Sequence, residues 1–250
     1  MEQSDPDPRL SRITTQWDII FQAHADSPEE AAQAQAALVR RYGGAVRRYL
    51  LGALHDQDAA EELAQEFALR FLRGDFQRAD PSRGRFRDFL KRALRNLMID
   101  HLRRRRAQPR PLEGAPEPAA DDPATADFDR QFTSCWREEL LSRAWQELAS
   151  LQARSGQPYH TILRFRADNP ELRSPQMADR LSWQLGKSIT PGGLRQALHV
   201  ARGRFLGYLL DEVRGSLQDP TDEDLEEELG EVGLLEYCRP ALRRRGQGPG

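Results

Sequence analysis

Cysteine is scarce: Cys135 and Cys238 are the only two among 250 residues. Two cysteines cannot build a disulfide framework or a cysteine zinc site. The five histidines, His24, His55, His101, His160 and His199, are scattered without metal-ligand spacing. No apolar run approaches the roughly 20 residues that cross a bilayer, and the opening MEQSDPDPRL is acidic and polar, unlike a signal peptide. There is no Gly-rich phosphate loop, metal cluster or nucleophile–base pairing. The expectation is a protein of the reducing cytoplasm, without membrane contact, catalytic residues, cofactor or metal.

What is present is charge, unevenly placed. Charged residues make up 30% of the chain and apolar ones 38%, and the formal net charge is only −2. From Arg78 to Arg110, twelve Lys and Arg face only Asp80, Asp88 and Asp100. From Asp219 to Glu231 there are eight acids and no base. The first block suits nucleic acid, and the second is repelled by it.

The pattern along the chain is helical throughout, with no internal repeat and no convincing strand. Ser27-Pro28-Glu29-Glu30 predicts a helix start at Pro28, running toward Tyr42, with Gly43-Gly44 as a candidate break before Ala45–Leu54. Asp58 to Glu61 repeats the capping pattern and opens a helix to about Arg73. Residues 74–84 read as a loop, and Arg85 to Arg106 as a long helix. Residues 107–126, with Pro109, Pro111, Pro116, Pro118 and Pro123, read as a flexible linker. Helical spacing resumes from Phe128 to Leu151, then at Tyr159–Ala167, from Ser174-Pro175 to about Gly186, and from Thr190-Pro191 to about Val213. The expected fold is all-α: a helical domain over 12–106, the linker, a second helical domain over 127–215 containing a helix-turn-helix, and an acidic tail over 216–250. That tail reads as disordered or regulatory, with a short helix in LEEELGEVGLLEYC as the alternative.

Three helix faces carry candidate function. In 58–73, Ala60, Leu63, Ala64, Phe67 and Phe71 form the inner stripe, while Glu62, Gln65, Glu66, Leu69 and Arg73 lie opposite. That outer face is either a protein-binding patch or a solvated surface with one stray leucine. In 85–106, Phe86, Phe89, Leu90, Ala93, Leu94 and Leu97 face inward. Lys91, Arg92, Arg95, Asn96, Ile99 and Arg103 face outward, and Arg103–Arg106 follow at the C-terminal end. Dipole compensation explains a few of those cations, but the whole cluster points to nucleic acid: Lys and Arg for phosphates, Asn96 for base edges. The preceding loop, with Phe76, Arg78, Arg83 and Arg85, offers a place for an unstacked base. In the last long helix, Leu194, Ala197, Leu198, Ala201, Phe205 and Tyr208 face inward, with Arg195, Gln196, His199 and Arg202 outward or flanking. A capped helix, a Gly-containing turn and a second capped helix fit a helix-turn-helix, though many helical hairpins look the same.

At these residues a resemblance emerges. AAEELAQEFALRFLRGDF followed by DPSRGRFRDFLKRALRNLMIDHLRRRR resembles the principal conserved domain of bacterial RNA polymerase sigma factors. The family pattern of an acid, Leu, any residue, Gln-Glu and a basic residue four further on is matched by Glu62, Leu63, Gln65, Glu66 and Arg70, with Glu62 where Asp is common. The resemblance implies that this helix, with Leu69, binds the clamp coiled coil of core RNA polymerase. RGRFRDFL and RNLMIDHLRRRR look like the helix that opens and reads the promoter −10 element. On that match Arg95, Asn96, Asp100 and Arg103 lie at or near DNA and the 74–84 loop near a flipped base; the basic residues Arg83, Arg85, Lys91 and Arg92 complete the candidate DNA-binding set. TPGGLRQALHVARGRF resembles the family's −35 recognition helix, with Arg195, Gln196, His199 and Arg202 in its outward positions. SWQLGKSI enlarges the usual compact turn before it.

The short chain without the extra domains of housekeeping sigma factors resembles the extracytoplasmic-function class. The implied function is promoter recognition and DNA opening at transcription initiation. The implied partners are core RNA polymerase and promoter DNA, with two candidate controllers, a separate anti-sigma protein and the acidic tail. The alternative from the residues alone is a helix-turn-helix DNA-binding regulator that never joins polymerase; such a protein has no need of the 62–70 patch.

Overall fold

The computed structural model describes residues 28–73, 85–107, 123–217 and 219–246. Among them every regular element is an α-helix: α1 (Pro28–Leu54), α2 (Gln57–Leu72), α3 (Phe86–Ala107), α4 (Pro123–Ser155), α5 (Tyr159–Asp168), α6 (Ser174–Leu185), α7 (Pro191–Arg214), α8 (Asp222–Glu231) and α9 (Leu235–Gly246). The all-α expectation therefore holds. The loop 74–84, with Phe76, Arg78 and Arg83, and the linker residues 108–122 lie outside the described residues.

Two compact units form: Met1–Glu139, as far as described, with Arg214–Glu228, and Leu140–Val213 with Leu229–Gly250. In the first, α1 does not break at Gly43-Gly44. Two glycines each cost about 1 kcal/mol in a helix interior relative to alanine. The stripe Tyr42, Ala45, Val46, Tyr49 and Leu50, buried along its whole length, outweighs them. His55 takes a left-handed conformation (φ 52°) and its N–H donates to Leu51 O at 2.9 Å, closing α1. Asp56 then caps α2 by accepting from Ala59 N at 3.1 Å. The cap expected at Asp58 thus sits two residues earlier, where the chain turns out of α1.

The core of this unit is aromatic. Tyr42 stacks on Trp136 (centroids 5.7 Å, planes 7° apart) and touches Phe86 at 5.0 Å, while Phe132 meets Tyr49 edge-on at 5.3 Å. Phe132 and Trp136 were expected in a second domain beginning at 127, yet they are buried here against α1 and α3. Proline content marks where a helix cannot run, but aromatic burial decides which core a helix joins. Helix α4 also starts at Pro123, inside the stretch read as linker, with proline at the helix start where its missing N–H costs nothing.

In the second unit, α4 from Leu140 onward, α5, α6 and α7 surround Leu148, Ile162, Met177, Leu181, Leu194, Leu198, Ala201 and Phe205, all buried. Gln152 links α4 to α5, donating to Thr161 Oγ1 at 2.9 Å and accepting from Thr161 N at 3.0 Å. The stretch 216–250 is not a disordered tail over its described residues. Helices α8 and α9 form, and Leu225, Leu229, Val232, Leu234 and Cys238 are buried. The acid count of this stretch concealed an apolar residue every three or four positions, which is enough to seat a short helix on a core.

Candidate functional site

On α2 the sequence-derived patch divides. Glu62 and Gln65 are exposed and Leu69 is 49% exposed, all on the side of the helix away from its buried Leu63 and Phe71. Leu63 is 0% exposed. It therefore supports the face from beneath and offers no surface to a partner, which corrects its assignment as a contact. Glu66 and Arg70 are half-buried and committed to their own fold. Glu66 accepts from Arg70 at 2.6 Å and from Arg104 of α3 at 2.7 Å, and Arg70 also approaches Asp100 at 3.6 Å. Partial burial raises the Glu66 carboxyl, but the hydrogen bonds from Arg104 and Arg70 outweigh it and hold the group below its ordinary range. This four-residue network locks α2 to α3, so the two faces are presented as one rigid surface.

On α3 the expected cations also divide. Arg85, just before the helix, is held by Glu227 at 2.7 Å and Glu228 at 3.0 Å. Lys91 pairs with Asp129 of α4 at 3.5 Å. Arg104 and Arg105 reach back to Glu66 and to Asp56, the latter at 3.6 Å. What stays presented is a stripe of Arg92, Arg95, Asn96 and Arg103, with Arg92 donating only to Asp88 O at 3.3 Å. Positions 92, 95, 96, 99 and 103 follow the i, i+3, i+4 rule, so they line one side of the helix over about 16 Å at 1.5 Å per residue. Such a stripe can hold several consecutive phosphates of one strand, with an amide at its middle able to read a base edge.

Periodicity missed Arg87. It is 6% exposed and lies at 3.5 Å from Glu228, itself 0% exposed. The signal was present: Arg87 shares a helix flank with Leu90 and Leu94, and an arginine on an apolar flank needs a carboxylate.

In the second unit, α6 ends at Gly186 in a left-handed conformation (φ 62°). The turn to α7 is longer than a compact helix-turn-helix but ordered. Ser182 Oγ accepts from Ile189 N at 2.9 Å, and Thr190 Oγ1 caps α7 by accepting from Gly193 N at 3.0 Å. Leu194, Leu198, Ala201 and Phe205 are buried, so Arg195, Gln196, His199 and Arg202 are all exposed on the opposite side. Arg195, His199 and Arg202 border an open groove of about 600 Å³ whose other wall is Arg166 and the 170–174 segment. Arg166 shapes that wall by donating to Leu172 O at 2.6 Å. Trp183 of α6 is 89% exposed, which no pattern in the sequence signals. Among the described residues no helix is long and apolar enough to cross a membrane.

No curated protein and no solved structure matches the chain. One family model does match, over residues 38–108, which run from within α1 through α2 to the end of α3 and so include both outer faces described above. That model is described as Sigma-70 region 2, and the chain therefore contains a Sigma-70 region 2 domain.

Proposed function

We propose that this chain is a dissociable promoter-specificity subunit of a bacterial RNA polymerase, a sigma factor of the short extracytoplasmic-function kind. It performs no chemistry; the polymerase makes the RNA. The observation that carries the reading is the Sigma-70 region 2 match at 38–108, whose two helices turn different chemistry outward. Helix α2 presents Glu62, Gln65 and Leu69, a mixed polar and apolar patch suited to a protein partner. In this reading it docks on core polymerase. Helix α3 presents Arg92, Arg95, Asn96 and Arg103, suited to one DNA strand, and opens and reads the −10 element. The outer face of α7, with Arg195, Gln196, His199 and Arg202, reads DNA upstream in the manner of a helix-turn-helix. The protein works in the cytoplasm, where its partners are.

The test is reconstitution. The protein is mixed with core polymerase and a pool of promoter fragments, and transcript starts are mapped. Initiation at a defined subset of fragments supports the reading; its absence across the pool overturns it. Gln65→Ala with Leu69→Ala should weaken core binding and leave the fold intact, since both side chains are exposed and neither belongs to the Glu66 network. Arg95→Ala with Arg103→Ala should spare core binding and weaken promoter opening. Identical effects from the two pairs would refute the division of labour between α2 and α3.

A further inference from the structure

Helix α8 is the most acidic of the described helices, with Asp222, Glu223, Asp224, Glu226, Glu227, Glu228 and Glu231. It belongs to the same compact unit as α3 through Arg214–Glu228. Its seat is apolar and buried at Leu225. Beside that seat, Glu228 is fully buried and meets Arg85 at 3.0 Å and Arg87 at 3.5 Å. Glu227, 61% exposed, adds a second carboxylate to Arg85 at 2.7 Å.

Leu225 and the buried Glu228 between two arginines seat this helix, Asp222 adds an ion pair to Arg214 at 3.3 Å, and Asp224 caps the helix with Thr221. Glu223 and Glu226 form no hydrogen bond or ion pair among the described residues. Like charges three and four positions apart, as at 223, 226 and 227, are destabilising within a helix. They persist on the outer side of a helix whose inner side grips the start of α3. Residues 223 to 227 span about 6 Å of helix axis, within the screening length of about 10 Å at 0.1 M salt. Arg85 thus lies in a field that repels phosphate, and a phosphate must displace Glu227 to reach it.

We propose that α8 is a built-in anion that competes with the DNA backbone for the start of α3. It holds Arg85 and screens the first turn, so the free chain engages DNA weakly and only along Arg92–Arg103. The proposal rests on the reading of α3 as the DNA-facing helix. A shift of the exposed Glu227 side chain removes one of the two carboxylates on Arg85, while Glu228 keeps its pair with Arg85 and α8 stays seated.

The experiment uses the full chain and three neutralising substitutions at exposed positions, Glu223→Gln, Glu226→Gln and Glu227→Gln, leaving Glu228 and the Thr221–Asp224 cap in place. Binding to a labelled 20-nucleotide single strand is measured between about 50 mM and 0.5 M salt. The triple variant should bind about tenfold tighter at the low end, with a salt slope steeper by about one ion, and converge on the parent at the high end. Placed on an Arg85→Gln background, the same three changes should give less than about a threefold gain. Equal affinity of variant and parent would overturn the proposal. So would a gain undiminished by Arg85→Gln, because that is an effect of net charge alone. A parent that binds DNA and directs initiation while the variant matches it removes the screen and leaves the proposed function standing. A chain that binds no DNA with either sequence removes both.

Discussion

Helices α3 and α7 each carry arginines beside an apolar stripe, yet their charges are held in different ways. Along α3, carboxylates from α2, α4, α8 and the turn at Asp56 reach most of the cations: Arg85, Arg87, Lys91, Arg104 and Arg105 all have acidic partners. On the outer face of α7, Arg195, His199 and Arg202 are exposed and form no ion pair among the described residues. The raw count of cations therefore overstates how much of α3 is open. Once pairs are set aside, α3 presents Arg92, Arg95 and Arg103, about as much positive charge as α7. The rest of its basic character serves packing between helices. The difference teaches that a basic block can be partly mortar and partly surface, and that only the partners tell the two apart.

The largest expected effect tests the mortar. Glu228→Ala leaves Arg87 buried without this carboxylate and should cost about 3–5 kcal/mol in urea denaturation, whereas Arg195→Ala on α7 should stay within about 0.5 kcal/mol. Equal losses would erase the contrast between the helices.

Next come the open charges themselves. Arg95→Ala with Arg103→Ala should reduce affinity for a single strand about tenfold at low salt and flatten the salt slope by one to two ions, about 0.7 per phosphate lost. Lys91→Ala, whose cation is shared with Asp129, should flatten it less. A larger effect from Lys91 would mean that pairing does not withdraw a cation from DNA.

The cap of α7 is a smaller lever. Thr190→Ala should destabilise the second unit by about 1 kcal/mol, because Gly193 N loses its acceptor. Hydrogen exchange at the start of α7 should rise while α3 is unaffected.

The smallest effect concerns pH. The folded-state Glu66 carboxyl lies below its ordinary range, so its share of stability is present above the ordinary glutamate value and is lost as pH falls through the lowered one. Acid titration of stability should therefore be shallower in Glu66→Gln than in the parent over that window. High salt should reduce the difference, since Arg104 is largely exposed.

Much of this was legible in local patterns. Paired proline and hydroxyl residues located the starts of α6 and α7, Gly186 located the end of α6, and the three- and four-residue spacing of apolar side chains identified the inner stripes. The outward sets on α2, α3 and α7 followed from the same geometry, with Leu63 the exception. There the motif named a residue that periodicity had already placed inside, and burial sided with periodicity. The extents of the units were not legible, because a helix can cross from one core to another without any change in its sequence pattern, as α4 does between Glu139 and Leu140.

The sequence by itself determined the helices, their caps and which side of each meets a core, because those depend on neighbours within four positions along the chain. It also carried the residues that match Sigma-70 region 2. Only the tertiary structure decided which charges remain open. Arg85 and Glu228 are 143 positions apart, and no local rule relates them. Ion pairing depends on side chains meeting within about 4 Å across separate elements, a distance that exists only after the helices have packed. The acidic stretch near the C-terminus shows this most directly: composition made it a repelled tail, and the fold made it the partner of Arg85 and Arg87 at the start of the basic helix.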